Sequence, residues 1–159
     1  MRRSDREVTD KAEILAIMKA CDVCRLAFND TETGFPYILP LNFGFVEEND
    51  VITLFFHGAN QGYKYEVIAR DPRASFEMDC KHQLQSWSDK GYCTMSYMSI
   101  IGQGVVEIIE DRNAKIEALT ILTDNYHKEH FPFNEAAVDR TTLMKLKVDR
   151  LTAKYKKAK

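Results

Sequence analysis

Residues 37–76 constrain the fold more than any other part of the chain. They predict a strand, a tight turn, a second strand, a loop containing glycines and a short helix. Every second residue of the first strand, residues 37–46, is large and apolar, as the interior of a β-barrel requires. These apolar residues are Tyr37, Leu39, Leu41, Phe43 and Phe45. The other face favours contact with a planar ligand, because its residues are small, flat or polar; they are Ile38, Pro40, Asn42 and Gly44.

The second strand of this segment predicts a hairpin that is covered on two sides. The paired strands are residues 36–46 and 51–57, with a turn at residues 47–50. Residues 51–56 are apolar on both faces, and strands with this pattern are usually buried on both faces. We therefore expect cover from outside the barrel wall as well as from its interior.

The loop after the hairpin predicts a phosphate-binding site. It ends in Gly62-Tyr63-Lys64 and opens a short helix, which Asp71-Pro72 brings to an end. The N–H groups and the dipole of a helix N-terminus favour anions. A lysine in the first turn opposes that dipole at a cost of about 0.3–1 kcal/mol, which a bound anion would offset. The alternative is a solvated lysine. With the flat face of the first strand, this loop predicts a nucleotide cofactor.

Composition excludes several classes of protein. The chain has 159 residues and is predicted to form a single domain, residues 1–159. Lys and Arg number 22 against 24 for Asp and Glu, and the net charge of −2 indicates neither a nucleic-acid nor a membrane partner. The N-terminus lacks the apolar region of a signal peptide despite the pair Arg2-Arg3. We expect a cytoplasmic protein with reduced cysteines.

The remaining pattern predicts an α+β fold, a six-stranded antiparallel split β-barrel with flanking helices. The N-terminal helix is capped by Asp10 and Glu13. Gly102 and Gly104 predict a bulge within their strand. The predicted helices are residues 11–20, 63–70 and 114–126, the strands outside the hairpin are 23–28, 74–81, 92–110 and 142–151, and 82–91 is a loop.

Other residues have competing interpretations. Cys21 and Cys24 are spaced like a redox or zinc motif, but they follow a helix and enter a strand, so burial is favoured and no metal site is predicted. Residues 126–130 are predicted to be a solvated helix end. Trp87 covers either a ligand or a dimer neighbour. The last lysines are predicted to form a solvated basic tail; they are Lys154, Lys156, Lys157 and Lys159.

In the order and spacing of its motifs, nearly the whole chain resembles the FMN-binding split barrel of the pyridoxamine 5′-phosphate oxidase superfamily. Within that superfamily it is most similar to the nitroimidazole-resistance (Nim) proteins. The motifs are MRRSDREVTD at the start, CDVCRLA from Cys21, PYILPLNF from Pro36, FHGA from Phe56, GYK from Gly62, DPRASF from Asp71 and SIIGQG from Ser99.

The resemblance implies a homodimer with two FMN molecules at its interface. The flavin ring would lie along Pro40, Leu41, Asn42 and Phe43, with residues 97–102 of the partner opposite. The phosphate would lie near FHGA and Lys64. The implied cofactor-binding residues are thus Pro40, Leu41, Asn42, Phe43, Phe56, His57, Gly58, Ala59 and Lys64.

One phosphate partner of the typical oxidase is missing. Gly62-Tyr63-Lys64 stands where that oxidase has a Ser-Arg-Lys run, so Arg25 or Arg73 would have to replace the lost cation. The residues that hold pyridoxal phosphate in the oxidase have no clear match. We therefore do not expect the oxidase reaction of that family.

The resemblance implies an FMN-dependent oxidoreductase that reduces a small aromatic or nitroaromatic substrate, with His57 as the substrate or cofactor contact. The alternative for His57 is a strand-end residue that hydrogen bonds to its own backbone. For the whole chain, the alternatives are a flavin or haem carrier without turnover, or a protein that uses a deazaflavin.

Overall fold

The computed structural model describes residues 3–158. Arg2 and Lys159, which belong to the N-terminal motif and the basic tail, lie outside the described residues together with Met1. The strands are β1 (Glu7–Val8), β2 (Cys24–Asn29), β3 (Pro36–Leu41), β4 (Phe43–Glu48), β5 (Val51–Ala59), β6 (Arg73–Trp87), β7 (Tyr92–Ile109) and β8 (Thr141–Lys156). The α-helices are α1 (Lys11–Lys19), α2 (Tyr63–Arg70), α3 (Arg112–Asp124) and α4 (Glu135–Asp139).

The strands form one antiparallel sheet in the order β3-β2-β6-β7-β8-β5-β4, with β1 paired to β8. The sheet curves around an apolar core to which seven of its strands contribute; fully buried side chains there include Leu26, Phe43, Leu54, Phe56, Phe76, Met78, Ile100 and Met144. The two end strands of the sheet, β3 and β4, follow one another in the chain and are separated only by Asn42. The predicted α+β barrel is confirmed, although the structure has eight strands instead of six.

Both additional strands have a local cause. The predicted strand 36–46 was wrong as one element, because it breaks at Asn42 into β3, which pairs with β2, and β4, which pairs with β5. At the break, the Asn42 side chain donates a hydrogen bond to the Asp22 carbonyl (3.0 Å). The second additional strand is β1, a two-residue strand too short to show a periodic pattern.

The β4–β5 turn is tighter than predicted. It contains only Asn49 and Asp50, whose φ angles are 51° and 66°. Two consecutive residues with positive φ are typical of a type I′ hairpin turn, and Asn and Asp tolerate this conformation well. The predicted turn at 47–50 therefore began two residues too early, because Glu47 and Glu48 stay in the strand.

The prediction of a loop at residues 82–91 was also wrong. After a bulge at Lys81, β6 continues to Trp87 and pairs with β7, and the connection is a short 3₁₀ turn, Ser88–Lys90, followed by Gly91. We call residues 82–97 the β6–β7 arm. Most of its residues are exposed. No apolar alternation marks these strands in the sequence, because neither face of the arm packs on the core.

The last strand is longer than predicted. β8 runs to Lys156, so Lys154 and Lys156 lie within a strand and pair with Ser99 and Tyr97. The prediction of a basic tail was wrong for these two lysines. The predicted bulge is confirmed, since the β7–β8 register shifts between Gln103 and Gly104.

The helices cover the ends and one side of the barrel. Asp10 caps α1 by accepting a hydrogen bond from the Glu13 N–H (2.8 Å), as predicted. Helix α3 covers the outer side of β5, where Phe55 packs against a cluster that includes Ala118 and Leu119. At Phe55 the second apolar face of residues 51–56 is thus covered within the chain. No helix in residues 3–158 has the length and apolar character needed to span a membrane.

Gly44 allows α3 to approach β4 closely. A Cβ atom added at Gly44 would lie 2.5 Å from the Leu122 Cα and 2.6 Å from the Ile121 carbonyl oxygen. Both are backbone atoms, so relief would require a shift of the whole helix. We expect Gly44→Ala to lower the free energy of unfolding by about 3 kcal/mol, which urea denaturation can measure.

Gly34→Ala is the control for this substitution. A Cβ at Gly34 meets no atom within 4 Å, but its φ of +75° disfavours an L-residue. That conformational cost is about 1–2 kcal/mol. If Gly44→Ala destabilises the protein no more than Gly34→Ala does, the close approach of α3 is not a constraint on the fold.

Candidate cofactor-binding site

The fold brings the two predicted segments of the site together. Phe43 lies directly opposite Phe56 in the β4–β5 register, and His57, Gly58 and Ala59 follow along β5. Lys64, in the first turn of α2, folds back over this strand end. Its Nζ lies 3.5 Å from the position of a Cβ built on Gly58.

Lys64 is held close to the loop instead of extending into water. Its Nζ donates a hydrogen bond to the Gln61 carbonyl (3.2 Å) and lies 4.3 Å from the centre of the Tyr65 ring. The Tyr65 hydroxyl in turn donates to the Ala59 carbonyl (2.6 Å). No carboxylate within residues 3–158 forms an ion pair with Lys64. The charge of this lysine is therefore available to an anion.

Two glycines make this arrangement possible. A Cβ at Gly58 would lie 3.0 Å from Lys64 Cε, and one at Gly62 would lie 3.2 Å from its Nζ. Gly62 also has φ +134°, a conformation that L-residues rarely adopt. A small cradle of backbone and amine thus forms at the start of α2, and its donors fit a phosphate group.

His57 is an exposed residue that directly precedes Gly58 in β5. It points away from the core because the preceding residue, Phe56, is fully buried and side chains alternate along a strand. The alternative of a histidine bonded to its own backbone has no support, since the imidazole forms no hydrogen bond with any residue in 3–158. Partial desolvation lowers the pKa of His57 below its ordinary value of 6.5. The ring is therefore mostly neutral near pH 7 and free to contact a ligand.

The predicted ring surface is only partly exposed. Pro40 and Asn42 lie at the surface, and Leu41 is half-buried. Phe43 and Phe56 are fully buried in the core, so they can offer only backbone groups to a ligand. The prediction that Gly44 shares the ligand face was wrong, because Gly44 is buried against α3.

Tyr126 fixes this surface, and the prediction that it belongs to a solvated helix end was wrong. Its hydroxyl accepts a hydrogen bond from the Phe43 N–H (2.9 Å) and donates one to the Asp22 carbonyl (2.8 Å). The Asn125 side chain donates to the Phe43 carbonyl (3.1 Å). The only signal in the sequence is the helical spacing of Tyr126 from Leu122, which puts it on the apolar side of α3.

A buried carboxylate positions α2, and sequence reasoning missed it. Asp30 is only 2% exposed and accepts hydrogen bonds from the Thr33 hydroxyl (2.7 Å) and the Tyr63 hydroxyl (2.8 Å). Arg70, two turns further along α2, donates to Tyr63 (3.0 Å) and pairs with Asp30. Burial alone would raise the pKa of Asp30, but these hydrogen bonds outweigh it and lower the pKa.

This cluster also explains the departure from Ser-Arg-Lys. Tyr63 stands where the typical oxidase has arginine, and its hydroxyl is directed to Asp30. The two predicted substitutes are already paired. Arg25 contacts Glu77 (3.0 Å) and Asp79 (2.7 Å), and Arg73 contacts Asp71 (2.7 Å). Lys64 is thus the cation that the described structure supplies to the cradle.

Cys21 and Cys24 are buried free thiols, as predicted. Burial raises the pKa of both thiols, so they stay protonated at neutral pH. The histidine close to a cysteine in the sequence is His82, whose Nε2 lies 2.6 Å from the Asp79 carboxylate. Within residues 3–158, no cluster of three or more His, Cys, Asp or Glu side chains has the arrangement of a metal site.

The antiparallel barrel, with the cradle at the end of β5, is the fold of a known protein family, as comparisons with known proteins show. The sequence profile described as pyridoxamine 5′-phosphate oxidase matches residues 10–155. The chain belongs to this family. Comparison with curated protein sequences gives no match.

Solved structures show the same fold. A candidate 5-nitroimidazole antibiotic resistance protein from Bacteroides thetaiotaomicron is 33% identical, with a TM-score of 0.79 and coverage of 93% of this chain and 85% of that one. The resemblance to nitroimidazole-resistance proteins is thereby confirmed.

Two more distant structures show the fold alone. The flavocytochrome Anf3 from Azotobacter vinelandii has 17% identity, TM-score 0.79 and coverage of 99% and 72%. A FAD and haem binding protein from Mycobacterium smegmatis has 18% identity, TM-score 0.80 and coverage of 96% and 74%.

The protonation of His57 can be tested directly. Because partial burial disfavours the charged ring, we expect its titration midpoint, followed by NMR of the ring protons, to lie below 6.5 in the folded protein. The unfolded chain binds the proton at the ordinary pKa, so this residue makes the protein less stable as pH falls through that value. His57→Asn assigns the signal and should weaken this loss of stability.

The urea-unfolded chain is the control for the titration. A midpoint that is equal in the folded and unfolded chains, or higher in the folded one, would show that the ring is not desolvated.

Proposed function

We propose that this protein is an FMN-dependent oxidoreductase that reduces a small aromatic substrate of the nitroaromatic, 5-nitroimidazole-like kind. The observation that carries the proposal is the amine of Lys64, which has no ion-pair partner among residues 3–158 and lies over Gly58 and Gly62. The exposed ring of His57 stands on the residue before Gly58. A cation, free backbone donors and an exposed flat surface at Pro40 and Asn42 match the charged and planar parts of a flavin mononucleotide.

Each group has a distinct task in this proposal. Lys64 and the N–H groups at the start of α2 hold the phosphate. The segment from Pro40 to Phe43 supports the ring, and Tyr126 keeps that segment in place. Bound FMN would supply two-electron transfer to the substrate. His57, as a neutral imidazole at the edge of the site, orients the substrate by hydrogen bonding.

The substrate class rests on the structural relative with 33% identity, whose name refers to 5-nitroimidazole resistance. The chain has no GxGxxG dinucleotide-binding motif in its sequence, so a nicotinamide donor would have to bind transiently beside the flavin.

The site is open in one chain, and a second copy is proposed to cover it. The outer face of strands β3, β2, β6, β7 and β8 carries a continuous cross-strand row; its members are Pro40, Arg25, Glu77, Ile101 and Thr152. Ile38, beside Pro40, is 62% exposed and Ile101 is 53% exposed. Exposed isoleucines on a sheet face favour association with a copy of the same chain, as in a homodimer with flavin sites at the interface.

A flavin or haem carrier without turnover is the second candidate. In this candidate the exposed imidazole of His57, whose pKa is lowered by partial burial, would hold the haem iron. The names of two structures with this fold mention a flavocytochrome and a FAD and haem binding protein. The visible spectrum of the purified protein separates a flavin from the Soret band of haem. Anaerobic reduction followed by reoxidation with a nitroimidazole separates an enzyme from a carrier.

Lys64→Gln tests the phosphate cradle. Because it removes the available cation but keeps a polar side chain of similar size, we expect FMN binding to weaken about 10–100-fold, the effect of losing one charge-assisted hydrogen bond. Flavin absorbance during dialysis or titration measures the affinity. The unfolding temperature without flavin should change little.

Lys115→Gln is the matched control, since Lys115 also lies near the start of a helix, α3, but away from the site. Lys64 is not part of the cofactor site if Lys64→Gln binds FMN as tightly as the wild type. The same conclusion follows if Lys64→Gln and Lys115→Gln lose equal FMN affinity.

Ile101→Arg tests the proposed homodimer. A charge at the centre of the outer sheet face would have to be buried without a partner, so we expect the dimer to dissociate. Light scattering after size-exclusion chromatography reports the mass. Phe131→Glu, at another exposed apolar residue, is the control. A dimer that survives Ile101→Arg unchanged would exclude this face as the interface.

A further inference from the structure

We propose that a basic cavity at the base of the β6–β7 arm, separate from the Lys64 cradle, binds a phosphorylated aromatic ligand of nucleotide size. The cavity has a volume of about 490 Å³. Small-molecule sites commonly measure about 300–1,000 Å³. We call it the arm cavity.

Three distant parts of the chain build the arm cavity. The pairing of β1 with β8, Glu7 with Lys154 and Val8 with Ala153, holds the N-terminal 3₁₀ turn, Ser4–Arg6, against the end of β8. The β6–β7 arm supplies the remaining wall, including Tyr92 and Thr94. The N-terminal motif and the terminal lysines, which the sequence left without a role, thus meet at one place.

The arm cavity has an excess of positive charge. Arg3, Arg6, Lys156 and Lys157 line it, and Asp5 is the single carboxylate of the lining. Asp5 is shared by Arg3 (2.6 Å) and Arg6 (3.8 Å). Among residues 3–158, the side chain of Lys156 hydrogen bonds only to the Thr94 hydroxyl. In a chain with net charge −2, three uncompensated positive charges around one cavity indicate an anionic ligand.

The same cavity presents aromatic rings. Tyr92 is 51% exposed and stacks on Trp87, with ring centres 5.4 Å apart and an angle of 25° between the planes. Tyr155 also lines the cavity, with Lys157 Nζ 5.5 Å from its ring centre. Exposed aromatic rings beside amines and a guanidinium favour a planar ring that carries phosphate over a simple inorganic anion.

The arm cavity and the Lys64 cradle lie at opposite ends of β8. His57 pairs with Leu143 and Tyr97 pairs with Lys156. Positions 143 and 156 are separated by about 43 Å along an extended strand. One mononucleotide cannot occupy both places within a chain, so the proposal does not depend on the flavin site.

Isothermal titration of the purified protein with AMP tests the proposal, with adenosine as the ligand that lacks phosphate. We expect AMP to bind, adenosine to bind more weakly, and inorganic phosphate to compete. Lys156→Gln should weaken AMP binding about tenfold through loss of a charge-assisted contact. Arg6→Gln is the second variant and should have a similar effect.

Trp87 reports where the ligand binds, because it is the single tryptophan of the chain and stacks on the cavity wall. AMP should change its fluorescence in the wild type. Lys147→Gln, an exposed lysine of β8 outside the arm cavity, is the control and should keep wild-type affinity.

Three results would overturn the proposal: no AMP binding at millimolar concentration, an equal effect of Lys147→Gln and Lys156→Gln, or one-for-one displacement of AMP by FMN. The third result would put the flavin in the arm cavity and would contradict the Lys64 site as well. Simultaneous binding of AMP and FMN supports both sites, and AMP binding without FMN binding supports the arm cavity alone.

Discussion

The hydrogen bonds at the junction between β3 and β4 are the constraint on which the rest of the site depends. At Asn42 the chain passes from β3, at one end of the sheet, to β4, at the other end. The Phe43 N–H therefore has no hydrogen-bond partner on a neighbouring strand. The Tyr126 hydroxyl accepts this N–H and donates to the Asp22 carbonyl, which joins α3, β4 and the start of β2. An unpaired buried N–H costs about 1–3 kcal/mol, so the tyrosine stabilises a break that the sheet itself cannot satisfy.

The register that follows from this junction determines what reaches the surface. Because Phe43 lies opposite Phe56 with both side chains in the core, His57 must point outward and Gly58 comes next to the start of α2. The Asp30–Tyr63–Arg70 cluster then fixes the first turn of that helix from the other side. Lys64, the residue after Tyr63, is held over Gly58 both by the β4–β5 register and by this cluster. The cradle is therefore preorganised before any ligand binds.

The sequence predicted those parts of the structure that local physics controls. The α1 cap at Asp10, the end of α2 at Asp71-Pro72 and the bulge near Gly104 were all correct, since each depends on a few neighbouring residues. The convergence of Phe56–Ala59 with Lys64 followed from the resemblance to a family. The β6–β7 arm was missed because periodicity reports burial, and the arm has no buried face. The roles of Asp30 and Tyr126 were missed because each depends on a partner distant in sequence, Tyr63 for Asp30 and Phe43 for Tyr126.

The proposed dimer interface and the proposed flavin site share one surface, so forming the dimer would also change the surroundings of the flavin. Pro40, which would support the ring, stands in the same cross-strand row as Arg25, Glu77 and Ile101. A copy of the chain that covers Ile101 would also border the ring and exclude water from it. Arg25 is neutralised by Glu77 and Asp79, so covering this row does not bury an unpaired cation. We infer that dimer formation completes the site instead of merely adjoining it. A monomer would keep the Lys64 cradle but leave the ring exposed, so it would hold flavin weakly and reduce little substrate.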